Sequence, residues 1–198
     1  MACRIAIEKY PRVKLVFLET GAHHPDLYRF KKDCEKWYGG SPIETYKNKN
    51  FEDIYDVFSY YGNFSATYNT PRNSGMPPKT YLCTNSLKKQ VREKIMRQLN
   101  WDKQVFGFEF SIHEINRALT FQQIYPDTKP IFPLIEEGLT KNECAGIVES
   151  AGIELPVLYK MGYEHNNCIG CIRGGKQYWQ KVRIDFPDVF NKMAQTER

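Results

Sequence analysis

No uninterrupted apolar stretch in this chain reaches membrane-spanning length, which excludes a helical bilayer anchor from the sequence as read. The opening segment, MACRIAIEKYPRVK, breaks its apolar residues with Arg4, Glu8 and Lys9, and a signal-peptide core does not do that. Internal repeats and low-complexity tracts are absent too, so neither a solenoid nor a compositionally biased tail is expected. There is no long run of one charge sign: the formal charge of +5 is spread along the sequence. A spread excess of this kind suits anionic ligands such as nucleotides or nucleic acid, or simply a solvated basic surface. Six cysteines in a chain of this size, with the spacing described next, read as thiols of a reducing cytoplasm, not as a disulfide framework.

What is present begins with Gly162–Lys176, GYEHNNCIGCIRGGK. It sets Cys168 and Cys171 on a Gly- and Asn-rich loop beside Arg173 and Lys176. Two thiols separated by two residues can converge on one metal or cluster, because the short loop brings both sulfurs to one point. Asn167 and Gly170 suit the tight turns and positive φ of such a knuckle. A third thiol, Cys83, stands just before a helix-like run. Spacing alone leaves a zinc half-site, a redox dithiol and two ordinary thiols all open. With three thiolates, a fourth position could be filled by water, substrate, His165 or another cysteine. Cys3, Cys34 and Cys144 lie on apolar helical faces and read as small buried hydrophobes.

At 198 residues the chain suits one α/β domain with a real core. Residues 2–10 read as an amphipathic helix ended by Pro11. Lys14–Thr20, KLVFLET, reads as a buried parallel strand that ends in Glu19-Thr20-Gly21, at the sheet edge where open α/β folds place ligands. Pro25 opens a helix stopped by Gly39-Gly40. Ile43–Tyr46 is the next strand, and Asn50 is positioned to cap the helix after it. Residues 62–80 form a long polar loop. Thr84 or Asn85 is positioned to cap a helix carrying Leu87, Val91, Ile95 and Leu99. Gln104–Phe110 and Lys129–Ile135 read as further strands. Thr140-x-x-Glu143 is a capping box, with Gly152 beyond its helix, and FPDVFNKM closes the chain as a helix. Alternation of strand and helix argues a doubly wound parallel sheet.

Several of these segments together carry a resemblance. LVFLETGAHHPDLYRF, the Cys83-x4-Lys88 segment, GFEFSIHEINRA, FPLIEEGLTKNE and NNCIGC followed by YWQKVRIDFPDVF resemble the phosphoadenosine phosphosulfate reductase-like family of adenine nucleotide alpha hydrolases. The resemblance spans nearly the whole chain in order. It implies a single domain over 1–198, with a nucleotide-binding core over 1–135 and a helical, cysteine-containing extension over 136–198. It implies ATP or a related adenine nucleotide as ligand, with Glu19, Thr20 and Gly21 against the adenosine part. Glu109 and Arg117 fall in the segment after the fourth strand, where Arg117 would face phosphate or sulfate. The alternative for Arg117 is a surface ion pair with Glu114. Cys83, Cys168 and Cys171 resemble part of a cluster motif, with Thr84 where a further cysteine would stand. An iron–sulfur cluster with one open iron and a zinc ion are the two groups that remain in competition.

Two departures accompany the resemblance. The superfamily's Ser-Gly-Gly phosphate loop has no counterpart here, because residues 2–10 match the helix that follows it. The family's sheet order, 3-2-1-4-5, therefore lacks its first strand in this chain. The expectation is that the reading frame begins upstream or that another segment fills the gap. A carboxyl-terminal catalytic cysteine is also missing, since no cysteine follows Cys171, which argues against a true sulfonucleotide reductase. Catalytic residues stay unassigned. One function is an ATP-pyrophosphatase, adenylating or sulfur-transfer activity. The other is a non-catalytic module binding nucleic acid or a protein through its basic, aromatic surface, with Tyr60, Tyr61, Phe64, Tyr68, Arg72, Lys79 and Tyr81 as candidate contacts.

Overall fold

The computed structural model describes residues 1–62, 64 and 81–197. In chain order the elements are α1 (Ala2–Lys9), β1 (Leu15–Glu19), α2 (Asp26–Trp37), β2 (Ile43–Lys47), α3 (Ile54–Tyr61), α4 (Leu82–Thr84) and, through a π-turn at Asn85–Lys89, α5 (Gln90–Gln98). There follow β3 (Gln104–Val105), α6 (Ile112–Ile124), a single 3-10 turn at Pro126–Thr128, β4 (Pro130–Ile131), α7 (Pro133–Glu136), α8 (Lys141–Ser150), α9 (Val157–Lys160), α10 (Lys176–Asp185) and α11 (Pro187–Glu197). The protein is mixed α/β with short parallel strand pairs. Among the described residues β1 pairs with β2 and β3 with β4. No described helix is long and apolar enough to cross a membrane.

The backbone contacts sort into two units, each assembled from three stretches of chain. The first comprises Met1–Val16, Tyr28–Glu44 and Leu99–Pro156. Its core gathers Leu15, Cys34 and Tyr38, with Cys3, Ile7, Phe30 and Ile43 packed against them. Cys34 is buried there, as its apolar helical face implied, whereas Cys3 and Cys144 are only half-buried. Strand β3 runs parallel to β4, with Gln104 opposite Pro130 and Val105 opposite Ile131. Beside them Phe106, Phe108, Phe121 and Phe132 form an aromatic cluster, with Phe108 stacked on Phe132 at 5.4 Å between centroids.

The second unit comprises Phe17–Leu27, Thr45–Gln98 and Val157–Arg198. One core cluster joins Phe51, Ile54, Tyr55, Val57, Phe58, Leu87 and Met193. Another joins Leu158, Tyr163 and Val182.

Local chemistry explains most boundaries. The Thr140–Glu143 capping box forms in full: the Thr140 hydroxyl accepts from Glu143 N, and the Glu143 carboxylate accepts from Thr140 N. Gly39 and Gly40 adopt φ of 70° and 81° after α2, a conformation open to glycine without steric cost. Other boundaries differ from the sequence expectation. Asp53, not Asn50, caps α3, because its carboxylate accepts from both Tyr55 N and Asp56 N. The helix expected to begin at Thr84 or Asn85 begins at Leu82 and encloses Cys83 in its first turn. Each of the two later strands shrinks to two ladder residues. Pro133 has no N–H to donate and a φ suited to a helix start, so the chain after Ile131 turns into α7. Helices α9 and α10 lie in the extension over 136–198 that the resemblance implied to be helical. The loop expected over 62–80 lies outside the described residues except for Gly62 and Phe64, and so do Tyr68, Arg72 and Lys79.

Candidate thiol site

The site belongs to the second unit and starts where β1 ends. Glu19 turns its carboxylate back on its own loop, where Oε1 accepts from Thr20 N and Gly21 N, both at 2.8 Å. Those two bonds hold the loop in a tight hook. Gly21 completes it with φ of 71°, and a Cβ at that position would come within 2.1 Å of the Glu52 carbonyl oxygen. No other residue fits that approach.

The hook presents Thr20, whose side chain is almost wholly enclosed, to two partners. Its Oγ1 lies 3.1 Å from His23 Nε2 and 3.0 Å from Cys168 Sγ. A second bond reinforces the join, from Ile169 N to Ala22 O at 2.8 Å. The Glu19–His23 loop and the Cys168 turn are therefore locked together by one side-chain and one backbone contact. His23 is buried against Phe17, with ring centroids 5.2 Å apart, and its Nε2 is 3.8 Å from Glu19 Oε1. Its Nδ1 makes no hydrogen bond of good geometry, although the Leu18 carbonyl is close enough to favour the protonated ring. Burial pulls the His23 pKa below its ordinary value and Lys88 pulls the same way. Glu19 and the Leu18 carbonyl oppose them only in part, so the ring is neutral at neutral pH.

The Cys-x2-Cys turn is shaped by Gly170, at φ of 79°, whose missing Cβ leaves room for Val189 Cγ1 and the Tyr55 hydroxyl. Asn167, expected to share the positive-φ role, is not among the left-handed residues. Inside the turn stands the Tyr178 hydroxyl. It accepts from Gly170 N at 2.9 Å and Cys171 N at 3.0 Å and donates to Cys168 O at 3.3 Å.

Cys83 enters the neighbourhood from α4, packed against the core cluster that Cys168 also borders. Burial pushes the Cys83 thiol up, and the Cys168 and Cys171 thiols beside it push it further. Burial likewise pushes the Cys168 thiol up, while the Thr20 hydrogen bond and the Lys88 charge pull it back in part. The π-turn that carries Lys88 begins two residues after Cys83, and such turns are frequent at functional positions.

The structure thus brings together Thr20, Cys83, Cys168 and Cys171, four of the residues singled out in the sequence, with Glu19 and Gly21 shaping the loop under them. Glu109 and Arg117 belong to the other unit. There Arg117 Nη1 donates to both Glu114 carboxylate oxygens, at 3.1 and 3.2 Å, and its guanidinium lies 4.6 Å over the Phe108 ring. Glu109 lies near Cys144 and contributes to raising that thiol's pKa. His165, a candidate fourth ligand, is exposed. Sequence reasoning missed His23 and Tyr178. The His23-His24 pair following Thr20-Gly21 was the only local signal for the first, and nothing local marked the second.

Comparison of the chain with protein families, with curated proteins and with solved structures gives no match. The donor chemistry at the site is of the soft, thiophilic kind: three half-buried thiols lie near enough for two to raise the third, and the Gly170 turn carries two of them. Among the described residues no group of three or more His, Cys, Asp and Glu side chains is gathered closely enough to hold an ion as it stands.

Proposed function

We propose that the protein binds an adenine nucleotide and handles sulfur, as its resemblance to the phosphoadenosine phosphosulfate reductase-like family implies. In this reading Cys83, Cys168 and Cys171 hold an iron–sulfur cluster or, in competition with it, zinc. The finer fold that accompanies it is a doubly wound parallel sheet. The order α1, β1, α2, β2, α3 followed by β3, α6, β4, α7 supports that fold.

The single observation that carries the reading is the contact between Thr20 and Cys168. It joins the Glu-Thr-Gly loop, assigned by resemblance to the nucleotide, to the Cys-x2-Cys turn, assigned to the metal. A ligand at one therefore abuts the other. When bound, a cluster with an open iron would supply a soft Lewis-acid position for a sulfur atom. The chain's own residues do the rest. Thr20 places a hydroxyl on the first thiol of the turn and stabilises its ionised form, the form that ligates. Glu19 keeps the loop closed, and the buried ring of His23 holds the other side of the Thr20 hydroxyl.

Protein purified without oxygen should contain iron with acid-labile sulfide, or zinc, in amounts abolished by Cys168→Ser. It should also bind ATP or a related adenine nucleotide by calorimetry. Metal-free protein that binds no adenine nucleotide would overturn the proposal.

A second reading has its own observation. Tyr60 is 73% exposed and meets Tyr61 edge-on at 4.9 Å, an aromatic surface on a chain of formal charge +5. Single-stranded nucleic acid stacking there would bind with a steep salt dependence, and absence of binding at low salt removes this alternative.

A further inference from the structure

The Tyr178 hydroxyl uses its whole hydrogen-bonding capacity on the Cys-x2-Cys turn. A phenol offers one donor and two acceptor sites. Here the acceptors take Gly170 N and Cys171 N, and the donor reaches Cys168 O. The three bonds bracket the turn from inside, touching both cysteines through their backbones. Helix α10 brings the ring there, and the sequence clears the way. A Cβ at Gly174 would lie 1.9 Å from Tyr178 Cδ1, so only glycine lets the ring lie flat over the chain at that point. Gly174 N in turn donates to Cys171 O at 2.9 Å, closing the loop behind the second thiol. The Tyr163 ring meets Tyr178 edge-on at 5.9 Å and supports its position from the side.

This is more than a packed tyrosine. Tyr178 holds the Gly170 and Cys171 N–H groups of the turn in place. It therefore fixes the backbone from which the two sulfurs project, leaving Cys168 turned toward Thr20.

We propose that Tyr178 is the positioning residue of the Cys168–Cys171 turn, fixing the backbone from which the two sulfurs would ligate a soft metal ion. The proposal goes beyond the function argued above and rests on it only for the identity of what binds. Groups outside the first ligand shell commonly change metal affinity by about 10–100-fold.

The test uses the full chain, wild type and Tyr178→Phe, which keeps the ring and removes the hydroxyl. In metal-free, reduced protein, alkylation by iodoacetamide followed by peptide mass spectrometry gives separate rates for Cys168 and Cys171. In the variant their ratio should move by several-fold, while Cys3, Cys34 and Cys144 keep their wild-type rates. Titration with cobalt(II), read by sulfur-to-cobalt charge-transfer absorption, should show affinity reduced by about 10–100-fold with an altered spectrum. Gly174→Ala displaces the ring instead of the hydroxyl and should reproduce both effects, which serves if Tyr178→Phe folds poorly. An unchanged alkylation ratio in the variants overturns the positioning role. Wild-type protein that takes up no cobalt overturns the metal reading alone, because the alkylation ratio still judges Tyr178.

Discussion

Thr20 Oγ1 and Cys168 Sγ lie 3.0 Å apart although 148 positions separate them in the chain. Each belongs to a different sequence motif, one a loop after a strand, the other a glycine-bearing cysteine turn. Their meeting turns two weak local signals into one site. It also sets the chemistry of Cys168, since the hydroxyl favours the ionised sulfur while burial disfavours it, and burial has the larger effect.

Replacing Thr20 by Val keeps the shape and removes the hydroxyl. Cys168 Sγ and His23 Nε2 then lose a buried partner together, which should cost about 1–3 kcal/mol of stability by urea unfolding. The Cys168 thiol should rise further in pKa, so its alkylation at fixed pH should slow. Thr20→Ser should retain most of both properties. A Val variant with wild-type midpoint and wild-type Cys168 reactivity would show that the contact is idle.

Alkaline pH should destabilise the protein. Burial raises the thiols of Cys3, Cys34, Cys83 and Cys168 above the ordinary value of 9.0. The folded state keeps protons that the unfolded chain releases, so this stabilisation is complete below pH 9.0. It is lost as pH climbs through the raised folded values. Denaturant midpoints compared at neutral pH and above pH 9.0 should fall, and Cys168→Ser should lessen the fall. Flat stability across that window contradicts the assignment.

Two glycines should respond in opposite ways to alanine. At Gly21 the new Cβ meets the Glu52 carbonyl at 2.1 Å on a backbone with φ of 71°, and a loss of about 2–5 kcal/mol is expected. Gly146, inside α8, has nothing within 4 Å of its added Cβ and no positive φ. Its replacement should leave stability equal or improve it by about 0.5–1 kcal/mol. Thermal unfolding of the two variants side by side decides the matter, and similar effects at both positions would contradict the loop geometry.

Arg117 discriminates a ligand role from a surface one. Its ion pair with Glu114 joins side chains one helical turn apart, and the arginine is 53% exposed, so Arg117→Gln should cost less than about 1 kcal/mol of stability. The resemblance, by contrast, assigns Arg117 to phosphate or sulfate. Calorimetry of ATP binding to the variant separates the two. A clear loss of affinity with unchanged stability marks a ligand contact, and unchanged affinity leaves Arg117 with its Glu114 pair and its contact over the Phe108 ring.

Elements whose signals lie within a few residues were legible from the chain alone. The Thr140–Glu143 box, the helix from Pro25 to the Gly39-Gly40 stop and the apolar run ending at Glu19 are of this kind. Gln104–Phe110 was not. A strand extends only as far as its neighbour offers backbone groups, and β4 offers two residues before Pro133 diverts the chain. Asn50 and Asp53 show the same limit at short range, since both are good caps and only the path of the chain into α3 selects between them. For the site, the spacing of Cys168 and Cys171 marked the turn, and the fold brings Cys83 near both thiols. The pairing of Arg117 with Glu114 was readable as an alternative, from their one-turn separation.

By itself the order of residues determined which turns need glycine, where helices can start and which thiols share one turn. Those choices depend on φ restriction, capping and loop length, all settled within about one turn of chain. Only the tertiary structure decided that Thr20 would face Cys168, that His23 would be buried behind it and that Tyr178 would fill the turn. A hydroxyl, an imidazole and a phenol have many possible partners. Which one each receives is set by the packing of helices far apart in sequence, and burial then makes that partner costly to lose.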